Sequence, residues 1–75
     1  MSKITEEQLH LEFIEKLIEA DLLFNEDNLV YTIKNSIFDH AIYFLRTGTL
    51  SLKENNKLVG YILNTNEVIK KLKGE

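Results

Sequence analysis

The chain contains no cysteine, no proline and no tryptophan, and only three glycines, in 75 residues. Without cysteine there is no disulfide, no thiol nucleophile and no sulfur ligand for a zinc site. A reducing compartment is therefore permitted, and a cytoplasmic setting is the expectation. With no proline, and with Gly48, Gly60 and Gly74 standing alone, there is neither a flexible linker nor a glycine-rich phosphate cradle. Long apolar runs are also missing. The longest, Ala41 to Leu45, falls far short of the roughly 20 residues that span a bilayer, so no membrane partner is expected. The start, Met1-Ser2-Lys3 followed by acids, does not read as a secretory signal.

What is present is 44% apolar and 28% charged, the composition of one small α+β domain over residues 1–75. A chain of this size buries only about 60% of the surface its unfolded form exposes. It must hold itself by well-specified local structure, by self-association or by a partner. Charge is divided unevenly about a net of −3. Residues 1–30 carry Glu6, Glu7, Glu12, Glu15, Glu19, Asp21, Glu26 and Asp27 against Lys3 and Lys16. Residues 31–75 carry Lys34, Arg46, Lys53, Lys57, Lys70, Lys71 and Lys73 against Asp39, Glu54, Glu67 and Glu75. Such asymmetry suits head-to-tail association, or an acidic half for protein and a basic half for nucleic acid.

Local signals predict the elements in turn. Thr5-Glu6-Glu7-Gln8 is a capping box, and Ile4 can staple onto Leu9 across it, so a first helix is expected over about Thr5 to Leu22. Its apolar arc, from Leu9 through Phe13, Ile14, Leu17, Ile18 and Ala20 to Leu11, is wider than one packing face requires. Asn25-Glu26-Asp27-Asn28 reads as a polar turn and Leu29 to Ile33 as a strand, to which Leu22-Leu23-Phe24 is either paired or not. A second helix is expected from Ser36, with Asp39 as its box partner, to Gly48 in the left-handed position that ends helices. Thr49 to Leu63 predicts a β-hairpin. A two-residue Asn55-Asn56 turn sets Glu54 against Lys57, Leu52 against Val59 and Leu50 against Tyr61. Asn64 with Glu67 opens a last helix, Leu63 can staple onto Val68, and Gly74 stops it. The expected order is α-β-α-β-β-α, three helices around a small antiparallel sheet.

Groups for catalysis are few. Ser2, Ser36 and Ser51 have no base in any recognisable arrangement, and of the two histidines, His10 has only Glu6 and Glu7 near it in sequence while His40 adjoins Asp39. His10 with those acids is too small a ligand set for zinc, and the Asn25 to Asn28 run lacks the spacing of a calcium loop. No enzyme, cofactor or metal is expected. A non-catalytic regulatory or protein–protein interaction module is. Leu11, Ile14 and Ile18 on the far edge of the first helix are the candidate contact face, with an isologous homodimer as one use of it.

From Ala41 onward the order of a helix, Arg46-Thr47-Gly48-Thr49-Leu50, a hairpin, and Asn64-Thr65-Asn66-Glu67-Val68-Ile69-Lys70-Lys71-Leu72 resembles the C-terminal half of small excisionase-type winged-helix proteins. The resemblance implies a DNA-binding regulator in which Arg46, Lys53, Lys57, Lys70, Lys71 and Lys73 touch phosphates and the hairpin tip is the wing. Against it, the helix expected from Ser36 is apolar where a recognition helix needs polar side chains. A third alternative is an acidic inhibitor imitating nucleic acid, built on Glu12, Glu15, Glu19, Asp21, Glu26 and Asp27.

Overall fold

A computed structural model describes residues 5–74. Helix α1 runs over Glu6–Glu19, and Thr5 caps it by accepting the Gln8 N–H at 3.1 Å. The staple expected from Ile4 lies outside the described residues. The helix stops three residues before the expected Leu22, because Asp21 turns left-handed (φ 58°). The Asp21 N–H then donates to the Ile18 carbonyl and the Leu22 N–H to the Leu17 carbonyl. That is the Schellman pattern, with buried Leu22 packing back beside buried Leu17.

Two strands follow, β1 (Phe24–Asp27) and β2 (Val30–Ile33), paired antiparallel through a tight turn at Asn28-Leu29. The polar run read as a turn is thus mostly strand. Both turn residues are left-handed (φ 52° and 64°), and Glu26 Oε2 accepts the Leu29 N–H, which moves the reversal two residues along.

The helix expected from Ser36 to Gly48 is absent; its apolar centre is strand β3 (Ala41–Phe44). Ser36 Oγ bonds the backbone of Phe38 in a local turn instead of capping a helix. Ala41 and Tyr43 are buried while Ile42 and Phe44 point the other way, a period of two. A run of consecutive apolar residues fills a broad helical arc and both faces of a strand equally well. Here Ile, Tyr and Phe favour the strand, and β2 and β4 supply its hydrogen bonds. Gly48 is left-handed as expected (φ 73°), but it closes the turn between strands, its N–H donating to the Phe44 carbonyl.

Strands β4 (Thr49–Glu54) and β5 (Lys57–Ile62) form the expected hairpin in the expected register, with Asn55 and Asn56 at φ 51° and 65°. Helix α2 (Thr65–Leu72) opens on the full Asn64–Glu67 capping box. The fold is therefore α+β with two helices and a five-stranded antiparallel meander, β1-β2-β3-β4-β5. The alternating inner side chains Tyr31, Ile33, Ala41, Tyr43, Leu50 and Leu52 join Phe13 and Leu17 of α1 and Val68 and Leu72 of α2 in one buried cluster. Both helices thus cover the same face of the sheet. Each large side chain so buried contributes about 1.5–3 kcal/mol.

Two substitutions test the turns by urea denaturation. Asn56→Gly, which removes side-chain strain at a left-handed position, should stabilise by roughly 0.5–1 kcal/mol. Gly48→Ala should destabilise by about 1–2 kcal/mol, since its Cβ would sit 3.4 Å from the Leu63 carbonyl on a backbone with φ 73°.

Candidate interaction surfaces

Among the described residues, none lies over the side of the sheet away from the helices. Register places Asp27, Val30, Phe44, Thr49 and Ile62 in one row across all five strands, and Asn25, Thr32, Ile42, Ser51 and Gly60 in the next. Beyond them Lys53 lies opposite Leu58. On this face Phe44, Leu58 and Ile62 are 38%, 68% and 76% exposed, whereas Leu50 and Leu52 on the opposite face are fully buried. The alternation that builds the core leaves these three apolar side chains on the other side, among Asn25, Asp27, Thr32, Thr49, Ser51 and Lys53.

The two sheet edges differ. The Lys34 N–H donates to the Leu23 carbonyl at 2.8 Å, which sets the phase of the β1–β2 ladder and turns the backbone of Phe24 and Glu26 outward. That edge is four residues long and carries Glu26 and Asp27. At the opposite edge the Leu63 N–H donates to the Gly48 carbonyl at 2.9 Å. Hydrogen-bonded pairs then fall at Leu50–Tyr61, Leu52–Val59 and Glu54–Lys57, so the N–H and C=O groups of Leu58, Gly60 and Ile62 face away from β4. From Leu58 to Ile62 this edge bears no charge.

Of the contact face expected on the first helix, Leu11 and Ile18 are exposed, but Ile14 between them is half-buried and packed on the core. Sequence reasoning missed Phe44 and Ile42 as surface residues because it placed them on a buried helix. Leu58 and Ile62 were already separable from the inner residues by the hairpin register.

The basic residues do not converge. Arg46 is held by Glu6 at 3.1 Å and by Asn28, joining the β3–β4 turn to the start of α1. Lys71 lies 4.3 Å over the Tyr61 ring and 3.8 Å from Glu54, which also accepts the Tyr61 hydroxyl at 2.8 Å. Through that bond Glu54 raises the Tyr61 pKa. Lys70 and Lys73 line an open groove of about 450 Å³ with Lys16 and Glu19, between the two helices. Lys53 and Lys57 sit on the hairpin, Lys53 on the uncovered face. The helix that would precede the wing in the winged-helix layout is β3.

His10 is occupied structurally. Its Nδ1 is 2.6 Å from the Tyr31 hydroxyl, and the Tyr31 ring meets Phe13 edge-on at 4.8 Å. Burial, with the nearby Glu26 charge and Tyr43 adding to it, pushes the Tyr31 phenol up to about 12. Burial also raises Tyr43, whose hydroxyl donates to the Leu63 carbonyl. Among the described residues no three His, Cys, Asp or Glu side chains gather as a metal site would require, and no helix is long and apolar enough to cross a membrane.

Comparison of the chain with protein-family models, with curated proteins and with solved structures finds no match.

The raised phenol has a measurable consequence. A group whose folded pKa lies above its unfolded value of about 10 adds stability below pH 10 that is lost as pH climbs through the folded value. Urea midpoints should therefore fall between about pH 10 and 12, and Tyr31→Phe should make that fall shallower, the remainder belonging to Tyr43 and Tyr61. An unchanged slope in the variant would remove the assignment to Tyr31.

Proposed function

We propose that this chain is a non-catalytic protein-interaction module whose contact surface is the uncovered face of the sheet, centred on Ile42, Phe44, Leu58 and Ile62. One observation carries the reading. The inner face is closed, with Phe13, Tyr31, Leu50 and Leu52 fully buried, yet Phe44 of β3 and Leu58 and Ile62 of β5 stand exposed. They are not needed to complete the core. Large apolar side chains left outside a finished core, here set on either side of Thr49, Ser51 and Lys53 of β4, support a surface that another protein covers. Leu11 and Ile18 on α1 form a second and smaller exposed pair, interrupted by half-buried Ile14.

The engagement of the titratable groups supports a non-catalytic role. His10 is held by Tyr31, Arg46 by Glu6 and Asn28, and Glu54 by Tyr61 and Lys71. Each is satisfied by a structural partner, where a general base or nucleophile would stand beside a reacting group in a concave site.

A photo-crosslinking amino acid placed at Phe44 in the full chain, and separately at exposed Lys34, tests the surface in the cell of origin. Discrete adducts from position 44 that are absent from position 34 are expected. Equal adduct patterns from both positions would overturn the reading.

A further inference from the structure

We propose that the free edge of β5 pairs with the β5 edge of a second copy of this chain, in antiparallel register about Gly60, making one continuous ten-stranded sheet. This goes beyond the interaction reading above: pairing at the edge takes in Leu58 and Ile62 and leaves Ile42 and Phe44 open to a partner on the face. Three features of the strand lead to it.

The first is hydrogen-bond phase. The outward N–H and C=O groups belong to Leu58, Gly60 and Ile62, and among the described residues none of them has a partner. A two-fold axis through Gly60 sets Gly60 against Gly60 and Leu58 against Ile62 of the second copy. Both are hydrogen-bonding positions, with two bonds at the axis and two on either side, about six in all. The second is side-chain parity. Pairing about a residue, and not about a peptide bond, keeps outer side chains opposite outer ones. Leu58 and Ile62, 68% and 76% exposed, then cover each other twice, while Val59 meets Tyr61 on the helix side. Gly60, at the axis, places no side chain between the two Leu58–Ile62 pairs.

The third feature is the contrast between edges. Sheet edges invite unwanted pairing, and proteins blunt them by shortening them or by placing charge on them. The β1 edge is short and carries Glu26 and Asp27; β5 is six residues long and uncharged from Leu58 to Ile62. A chain that guards one edge and leaves the other self-complementary closes as a two-fold pair and does not extend into a fibre, because the outer edges of that pair are both acidic β1 strands.

Sedimentation equilibrium of the full chain tests this. The wild type should have twice the 8.8 kDa chain mass. Leu58→Lys with Ile62→Lys, at positions too exposed to damage the core, should return it to 8.8 kDa with an unchanged circular dichroism spectrum. Gly60→Pro, which removes the central outward donor and no internal one, should do the same. Leu11→Lys with Ile18→Lys should leave the dimer intact. A wild type that is monomeric at about 1 mM chain overturns the proposal. So does a dimer broken by the helix variant and not by the edge variants, or mass that grows without limit as concentration rises. If self-pairing fails but position 44 still gives discrete adducts to another protein, the interaction reading stands and only this inference falls.

Discussion

A single sheet has two faces, and this chain has enough helix for one of them. Five strands at about 4.8 Å spacing are roughly 19 Å across, and a helix of 14 residues is about 21 Å long, so α1 alone can cross the whole sheet. Helix α2 fills beside it with Val68 and Leu72. Among the described residues no element remains for the other side. Every inward residue of the strands therefore has a neighbour pointing to the other side, and whether that neighbour is threonine or phenylalanine decides what kind of surface results. Phe44, Leu58 and Ile62 set large apolar side chains among its polar ones.

The covered side is tied together by aromatic packing more than by charge. Tyr31 sits between α1 and the middle of the sheet, edge-on to Phe13, near Phe24, and bonded to His10; Phe13 reaches on to Tyr43 at 5.0 Å. Those contacts combine large buried area with a satisfied hydroxyl, the arrangement in which a buried tyrosine stabilises instead of costing. The ion pairs lie at the margins. Arg46–Glu6 is half exposed on both partners and contributes about 0–1 kcal/mol, serving mainly to orient the β3–β4 turn against the helix start. The division of charge seen along the sequence is thus partly neutralised in three dimensions, since Arg46 from the basic half pairs with Glu6 and Asn28 of the acidic one.

Signals confined to a few neighbouring residues were legible. The Thr5 cap, the Asn64–Glu67 box, the Asn55-Asn56 turn and the β4–β5 register all depend on contacts within a single turn or hairpin. The segment 36–48 was not legible in the same way. Its apolar residues are consecutive, so neither a period of 3.6 nor one of two is marked, and its serine, acid and glycine sit where helix caps would also sit. Likewise Asn25 to Asp27 is a strand only because β2 folds back on it. On the candidate surface, Leu58 and Ile62 could be separated from the core by hairpin parity, while Phe44 and Ile42 needed the correct element first.

By itself the sequence determined the starts of α1 and α2, the hairpin, its turn and its two faces, because each is settled by residues that meet at short separation. Tertiary structure decided the identity of β3, the pairing of β1, the placing of both helices on one side and, from these, the uncovered face. The physical reason is that a central strand has no hydrogen bonds of its own. Ala41–Phe44 is a strand because β2 and β4 stand on either side of it, and neither neighbour is written within it.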